Sequence, residues 1–269
     1  HSDLRRQRQM CIRDRYEVTA KYSKEIKIVS LSFDDVTDAV QANQMRRDFV
    51  ANVSHELKSP LTSILGFTET LSGVIESNPS KAKQFLSVME RESLRMSSLI
   101  DDLLGLSRVE AAEKQLPTEQ VNLGDIMREV LEILTATAAK KNIGIEYVQD
   151  AADPLIIGDY SQVVQVFTNL LQNAIKYGGD GNKIKVFMNS IEYHKALLTT
   201  GYKVSVEDTG IGIEEHHLAR LTERFYRVDD HRSRNEGGTG LGLSIVKHIM
   251  ARHNGCLLYT SPSPRDRSL

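Results

Sequence analysis

Cysteine and long apolar runs are both scarce in this sequence of 269 residues. Its two cysteines, Cys11 and Cys256, exclude a disulfide scaffold or a cysteine-rich zinc module, and they favour a reducing compartment. No stretch approaches the roughly 18 consecutive apolar residues that span a bilayer, and the first residues lack the apolar core of a signal peptide. With 40% hydrophobic and 26% charged residues, we expect a soluble, folded chain of one large or two small domains.

Both ends of the chain resemble foreign sequence. The segments RRQRQMCIRDR (Arg5–Arg15) and CLLYTSPSPRD (Cys256–Asp266) look like translated adapters from sequencing libraries. The alternative is a natural basic arm and a natural Ser/Pro tail. We interpret residues 1–15 and 256–269 as adapter-like artefacts that do not belong to the fold.

Setting both ends aside changes the charge balance. The first fifteen residues carry +3 and the last fourteen +1 of a total of −2, which leaves −6 on residues 16–255. The apparent basic N terminus disappears, so no patch suited to nucleic acid is expected. Both cysteines disappear as well, which excludes thiol chemistry.

Long amphipathic helices are predicted for the first half of the remaining chain. Residues 26–33 alternate as a strand does, and a helical pattern follows them. Its apolar positions step by three or four to Ile75, Asn78-Pro79 interrupts it, and a second such stripe runs from Phe85 to Leu106. Because two helices cannot bury their stripes alone, we expect two copies to pair as a four-helix bundle.

The pattern after Pro117 is typical of a compact α+β domain. Helices are predicted over 122–141, 160–177 and 244–253, and strands over 145–149, 155–159, 183–193 and 203–208. Glycine and polar residues crowd 229–240, which we interpret as a mobile loop.

His55 is the first candidate for chemistry. It lies between the stripe positions Val53 and Leu57 and therefore faces solvent on a helix, where its imidazole can act as a nucleophile. Glu56 can orient the ring and accept its proton, and Pro60 bends the helix nearby. A surface or capping histidine is the alternative. A zinc site of the HExxH type is excluded because Ser59 stands at the second histidine position.

The second candidate site lies in the α+β domain. Asn169 and Asn173 share one helix face, with Lys176 and Tyr177 on the next turn, and amide oxygens beside substrate phosphates suit Mg²⁺. Asp208 in DTGIG offers a carboxylate to an exocyclic amine on a turn that a flat base can approach. Amides on a helix surface are the alternative for either asparagine alone.

A glycine-rich segment follows in EGGTGLGLSI. Its glycines allow the chain to lie close to phosphates, and the helix that starts near Leu241 presents N–H groups to them. A Rossmann site would need a strand directly before the segment, and no GxxxxGK[ST] motif occurs. The remaining histidines of the domain show no ligand spacing, so we interpret them as solvent-facing or structural: His216, His217, His231, His248 and His253.

Taken in order, these motifs resemble the sensor histidine kinases of two-component systems. FVANVSHELKSPLTSILGFTETL resembles the phosphoacceptor box. The later segments VFTNLLQNAIKYG, DTGIG, RFYRVDD and EGGTGLGLSIVKHI resemble the asparagine, DxGxG, phenylalanine and glycine-lid boxes. The resemblance covers about residues 40–255. The segment RRDFVANVSHELKSPLTSILGFTETL is most similar to the phosphate-regulon type of sensor kinase.

The resemblance implies an α plus α+β fold. A dimeric helical hairpin, forming a four-helix bundle over 39–112, precedes a two-layer α/β sandwich ATP-binding domain of the GHKL (Bergerat) type over 117–255. That domain is expected to be truncated at its C terminus. Residues 16–38 resemble the end of a PAS-like sensor domain.

The resemblance also implies residue roles. His55 takes the γ-phosphoryl group, Glu56 is the base, and Ser59 stands where the family assists dephosphorylation. Asn173 holds Mg²⁺ with Asn169 assisting. The expected nucleotide-binding residues are Asn169, Lys176 for phosphate, Tyr177 against adenine, Asp208 for its amino group, Gly210, Gly212, Arg227 for the γ-phosphate, Gly238, Thr239, Gly240, Leu241 and Gly242.

The implied function is ATP-dependent autophosphorylation on His55 and phosphotransfer to an aspartate of a response regulator, with ATP and Mg²⁺ required. The implied enzyme is a protein-histidine kinase that also acts as a response-regulator phosphatase. The implied partners are a second copy of the chain and a receiver domain, and nucleic acid is not among them. The piece is expected in the cytoplasm, and its parent in the bacterial inner membrane. Any contact with the membrane is expected only through segments that this piece lacks. The alternative is a catalytically impaired dimerisation or docking fragment. An ATPase of the chaperone or mismatch-repair type is a remoter one, because it would lack the His-Glu pair.

Overall fold

The computed structural model describes residues 14–23, 25, 27–112, 115–179, 181–194, 199–228 and 238–259. Most of the two adapter-like ends and most of the expected loop at 229–240 therefore lie outside the described residues. The chain divides into two compact units, His1–Ala82 and Lys83–Leu269. Among the described residues, no helix has the length and apolar character that a bilayer crossing requires.

The N-terminal unit opens with a two-stranded antiparallel sheet. Its strands are β1 (Tyr16–Ser23) and β2 (Ile28–Asp35), with Tyr16 opposite Asp35 and Ser23 opposite Ile28. The sequence predicted β2 two residues too early and missed β1. All the described positions of β2 are exposed, and Phe33 is 64% accessible.

Helix α1 (Thr37–Val74) follows directly and passes through Pro60 without interruption. The backbone N–H of Thr37 donates to the Asp35 carboxylate at 2.9 Å, and the hydrogen bonds from Thr37 hold the pKa of Asp35 below its ordinary value. The predicted break is confirmed at Asn78-Pro79. There the Asn78 side chain accepts the N–H of Lys81 at 3.0 Å, and Pro79 begins helix α2 (Pro79–Ala111).

The C-terminal unit contains the rest of α2 and an α/β domain. The further elements of that domain are β3 (Gln120–Asn122), α3 (Leu123–Lys140), β4 (Gly144–Gln149), β5 (Leu155–Ile157), α4 (Tyr160–Tyr177), β6 (Lys183–His194), β7 (Thr199–Asp208), α5 (Glu215–Leu218) and α6 (Gly242–Arg252). Strand β6 is central in a mixed sheet, parallel to β4 and antiparallel to β7. Strands β3 and β5 form a separate antiparallel pair.

The core of this domain lies between the mixed sheet and its helices. Ile184, Val186 and Met188 point from β6 into it with no accessible surface. The helices contribute further side chains of at most 1% accessibility: Ile126, Met127, Val130, Leu171, Ile245, Val246 and Ile249. The expected helix-and-strand order is thereby confirmed. Strand β3 and helix α5 were missed because three or four residues are too few to show a period.

Side-chain caps fix where two of these helices begin. The Asn122 side chain accepts the N–H groups of Gly124 and Asp125 at the start of α3. Asp159 accepts the N–H of Gln162 at the start of α4 and also pairs with Arg252 at 3.1 Å. Burial alone would raise the pKa of Asp159, but the hydrogen bonds from Ser161, Arg252 and Gln162 outweigh it and lower that pKa.

Candidate functional site

The His55 segment lies on the middle turns of α1. His55 and Ser59 are both exposed, four residues apart on one helix face, while Glu56 is half-buried and Pro60 is buried. The exposure of His55 agrees with its place beside the apolar stripe. An exposed imidazole next to a carboxylate can be reached by a reaction partner and can lose its proton locally.

The turn after β7 is built around Asp208 and Gly210. The Asp208 carboxylate accepts the N–H of Gly210 at 2.8 Å. A Cβ atom on Gly210 would lie 2.6 Å from that carboxylate, 2.9 Å from the Cα of Gly178 and 3.0 Å from the carbonyl oxygen of Tyr177. The turn therefore presses against the end of α4, and only glycine fits at 210. Gly212 has a φ of 75°, which also favours glycine.

Asn182 anchors the same turn, and the sequence did not single it out. Its side-chain oxygen accepts the N–H groups of Lys183 and Thr209, each at 2.8 Å, and the Thr209 hydroxyl. Asn182 is 5% accessible. It holds the start of β6 and the turn after β7 in register, which positions Asp208. A buried asparagine next to glycine gives no local pattern that separates it from an ordinary turn residue.

Asn169, on the expected asparagine face of α4, points toward the glycine-rich segment. Asn169 is half-buried, and its Oδ1 would lie 3.4 Å from a Cβ on Gly242, at the start of α6. Its Nδ2 is buried with no hydrogen-bond partner among the described residues. A buried amide donor without a partner costs about 1–3 kcal/mol unless a ligand or water satisfies it. Asn173 and Lys176, one and two turns further along, are also half-buried.

The glycine-rich segment lies against Phe225, in the segment that resembles the phenylalanine box. The N–H of Phe225 donates to the carbonyl oxygen of Gly240 at 2.9 Å. Gly240 has a φ of 74°, and a Cβ there would lie 2.8 Å from the carbonyl carbon of Phe225. Phe225 itself has a φ of 64°, which is rare for a bulky residue. Gly238, Thr239 and Leu241 are buried, and Arg227 is half-buried.

A contact with α2 reaches the expected nucleotide residues. The Thr239 hydroxyl donates to the Asp102 carboxylate at 2.6 Å, across 137 residues of chain. Burial raises the pKa of Asp102, and the Thr239 hydrogen bond and the positive charge of Lys176 oppose this increase. Asp102 was missed because nothing in its local sequence indicates so distant a partner.

One residue near the C-terminal end of α2 and one residue after that helix also contact the α/β domain. Glu110 pairs with Arg224, and its carboxylate lies 3.7 Å from the imidazole of His248. The guanidinium of Arg252 donates to the carbonyl oxygen of Gln115 at 2.8 Å. The Asp102 contact is thus one of several that hold α2 beside the α/β domain.

The interpretation of the domain histidines holds for His253. Its Nε2 accepts the N–H of Asp159 at 2.9 Å, and its Nδ1 lies 2.8 Å from the carbonyl oxygen of Ile249. His231 lies outside the described residues. His216 and His217 lie on α5, next to Glu214.

Two protein families match the chain over separate stretches. Residues 45–112 match the His Kinase A (phospho-acceptor) domain. Residues 158–268 match the histidine kinase-, DNA gyrase B-, and HSP90-like ATPase. The chain thus combines a phosphoacceptor helical domain with an ATPase-type α/β domain.

Among curated relatives, the phosphate regulon sensor protein PhoR of Pseudomonas aeruginosa is 41% identical over 228 residues. The alignment covers 84% of this chain and 49% of that protein, so the chain spans about half the length of this relative. With both family matches, this places the chain in the sensor histidine kinases of two-component systems and confirms the resemblance stated above.

Solved structures agree on the fold. Histidine kinase ThkA, in complex with the response regulator protein TrrA, aligns with a TM-score of 0.61 at 23% identity, covering 89% of this chain and 68% of that one. Full-length ShkA in complex with AMPPNP aligns with a TM-score of 0.51 at 27% identity, covering 76% of this chain and 41% of ShkA. The helical hairpin followed by a mixed α/β domain is therefore confirmed.

The ATPase match bears on the alternative of a docking fragment. It extends to residue 268, and the interpretation of residues 256–269 as adapter-like stays a prediction. A fragment limited to dimerisation and docking, because its ATPase domain is truncated, is therefore not favoured.

Proposed function

We propose that this chain is the kinase segment of a sensor protein that phosphorylates His55 with ATP and passes the phosphoryl group to an aspartate of a response regulator. The observation that carries the proposal is the pairing, in one chain, of an exposed His55-Glu56 on a phosphoacceptor helix with an ATPase-type domain.

The nucleotide site consists of the Asp208 turn, the asparagine face of α4 and the glycine-rich segment. One feature of the structure fits a nucleotide there: the buried Nδ2 of Asn169 has no hydrogen-bond partner among the described residues. Asp208 accepts the adenine amino group, Tyr177 stacks on the base, and Lys176 and Arg227 neutralise phosphate. The glycine segment, Gly238 to Gly242, lies along the phosphates. That the similar protein ShkA was solved in complex with AMPPNP supports nucleotide binding by this chain.

Mg²⁺ fits the same donors. The amide oxygens of Asn173 and Asn169 are the hard ligands that magnesium shares with substrate phosphates. When bound, the ion supplies charge neutralisation at the phosphates.

The chemical step is a phosphoryl transfer to the imidazole of His55. One imidazole nitrogen of His55 attacks the γ-phosphorus, the bond to the oxygen bridging the β- and γ-phosphates breaks, and ADP leaves with the bonding electrons. Glu56 accepts the proton from the other ring nitrogen, which makes the attacking nitrogen more nucleophilic. The phosphoryl group then passes from His55 to the aspartate carboxylate of the partner.

The finer assignments are part of the same proposal. Ser59, exposed one turn after His55, assists dephosphorylation of the response regulator. A second copy covers the apolar side chains that α1 and α2 expose, among them Leu61, Leu94 and Leu104. The parent belongs to the phosphate-regulon type, supported by the identity with PhoR. Residues 16–38 end a PAS-like sensor domain, and the parent is anchored in the bacterial inner membrane with this segment in the cytoplasm.

Incubation with ATP labelled on the γ-phosphate tests the kinase proposal. The full chain should gain acid-labile, base-stable label, and His55→Gln should gain none while it binds a fluorescent ATP analogue as tightly as before. Glu56→Gln should slow labelling without weakening that binding, and Glu90→Gln, an exposed carboxylate of α2, should change neither. Label that survives His55→Gln would overturn the assignment.

A further inference from the structure

Three side chains with metal-ligating atoms meet at the short helix α5. Glu214, His216 and His217 each place one such atom within 4.8 Å of the other two. The carboxylate of Glu214 lies 3.2 Å from Nδ1 of His216. The rings of His216 and His217 have centroids 3.8 Å apart. Neighbours on an α-helix diverge by about 100°, so two adjacent imidazoles on one side are unusual.

The distances suit a tetrahedral ion. Two ligands about 2.0–2.1 Å from a tetrahedral zinc ion lie about 3.3 Å from each other, close to the separation of Glu214 and His216. The remaining separation, to His217, closes with small side-chain rotations, which are available because Glu214 and His216 are exposed. Two imidazoles and one carboxylate favour zinc, copper or nickel over magnesium or calcium, which prefer oxygen ligands.

Tyr226 supports the third ligand. Its hydroxyl contacts Nδ1 of His217, so when this nitrogen donates to the phenol oxygen, Nε2 has its lone pair available for a metal. The Tyr226 ring is itself covered by the guanidinium of Arg220, 4.2 Å from its centroid, and Arg220 pairs with Glu223 at 3.0 Å. Such outer contacts orient a ligating histidine.

We propose that Glu214, His216 and His217 form a binding site for a borderline divalent transition metal, zinc above all, with water in the fourth position. The site is separate from the proposed Mg²⁺ donors, which are amides of α4. Tyr226 follows Phe225, whose N–H is bonded to Gly240. The contact between His217 and Tyr226 therefore connects the proposed site to the segment that holds the glycine-rich stretch in place.

Zinc chloride titrated into the tag-free full chain, in competition with a chromogenic zinc chelator, tests the proposal. One site should be occupied, and its affinity should fall at least about ten-fold in Glu214→Gln and in His217→Gln. Glu215→Gln, the neighbouring exposed carboxylate outside the cluster, should bind as the parent does. A large excess of Mg²⁺ should not compete. Equal affinity in Glu214→Gln and the parent would show that the cluster is only an ion pair and a hydrogen bond, and would overturn the proposal.

Tyr226→Phe separates positioning from ligation. We expect about ten-fold weaker zinc binding with one site still occupied, because loss of an outer contact typically costs 10–100-fold in affinity. In the parent, zinc should also slow amide hydrogen exchange across residues 214–226, and it should not do so in His217→Gln. Exchange that is unaffected by zinc in the parent would also overturn the proposal. These readouts do not depend on kinase activity, so they leave the proposed function untouched.

Discussion

Helix α1 and helix α4 carry similar apolar periodicities but use them differently. On α4, Leu171 has no accessible surface and Ile175 is 3% accessible, because the mixed sheet and the neighbouring helices cover them. On α1, Leu61 is 48% and Leu65 is 56% accessible. A helical period in a sequence thus predicts the helix in both cases. Whether the apolar face is covered within one chain is decided by what the rest of the chain can place on it.

The largest expected effect comes from removing a side chain on the covered face. Leu171→Ala should lower the free energy of unfolding of the α/β domain by about 2–5 kcal/mol, since it leaves a cavity in a packed core. Urea unfolding followed by tyrosine fluorescence and circular dichroism measures this change. A loss below 1 kcal/mol would mean that this core collapses around the gap.

The matched substitution on α1 should affect self-association and not the stability of the α/β domain. Leu61→Ala should leave the unfolding of the α/β domain unchanged and instead weaken self-association, because the apolar face it shortens is the one proposed for the second copy. Sedimentation equilibrium over a range of concentrations measures the dissociation constant. A variant that dimerises as tightly as the parent would place the dimer contact on another face.

A second contrast lies between two glycines at opposite ends of β7. Gly210→Ala should destabilise the domain by about 1–3 kcal/mol, because its Cβ would overlap the Asp208 carboxylate and the backbone of Gly178. Gly201→Ala is the control, since nothing lies within 4 Å of a Cβ there. Urea unfolding of both variants side by side tests the contrast, which fails if the two have the same midpoint.

The turn that Gly210 makes possible also leads to a binding prediction. Asp208→Asn keeps an acceptor for the Gly210 N–H but removes the negative charge that we propose accepts from the adenine amino group. Hydrogen bonds to charged groups contribute about 1.5–3 kcal/mol, so ATP should bind about ten-fold more weakly or worse. Calorimetry measures this, with Glu207→Gln on the same strand as control. Unchanged affinity for ATP in Asp208→Asn would remove the carboxylate from the adenine site.

Elements that are specified by local sequence signals could be predicted from the sequence. Helix α4 was predicted residue for residue, because its period, its Asp159 cap and the glycines that follow it are all local signals. The turn at Asn78-Pro79 is an equally local signal, and so are the motifs on which the nucleotide-site prediction rests. Strand β1 was missed because it follows directly on the segment that resembles foreign sequence.

Long-range partners account for the other omissions. Asn182 and Asp102 act on residues 27 and 137 positions away, and neither lies in a pattern that identifies its partner. Asp102 is one of two adjacent aspartates in an amphipathic helix, and only the fold distinguishes the one that Thr239 contacts. Such residues complete a site that sequence motifs can only outline.

The smallest expected effect concerns Asp102 and pH. Because burial raises its pKa in the folded chain, the folded state binds more protons than the unfolded state between the ordinary and the raised pKa, and stability falls as pH rises through that window. Asp102→Asn keeps an acceptor for Thr239 and removes the buried charge. The variant should therefore match or exceed the parent in stability above the window, and its advantage should shrink as pH falls below the ordinary carboxyl pKa. Urea midpoints of both proteins across this pH range measure the difference, and a difference that does not change with pH would show that Asp102 is not the group responsible.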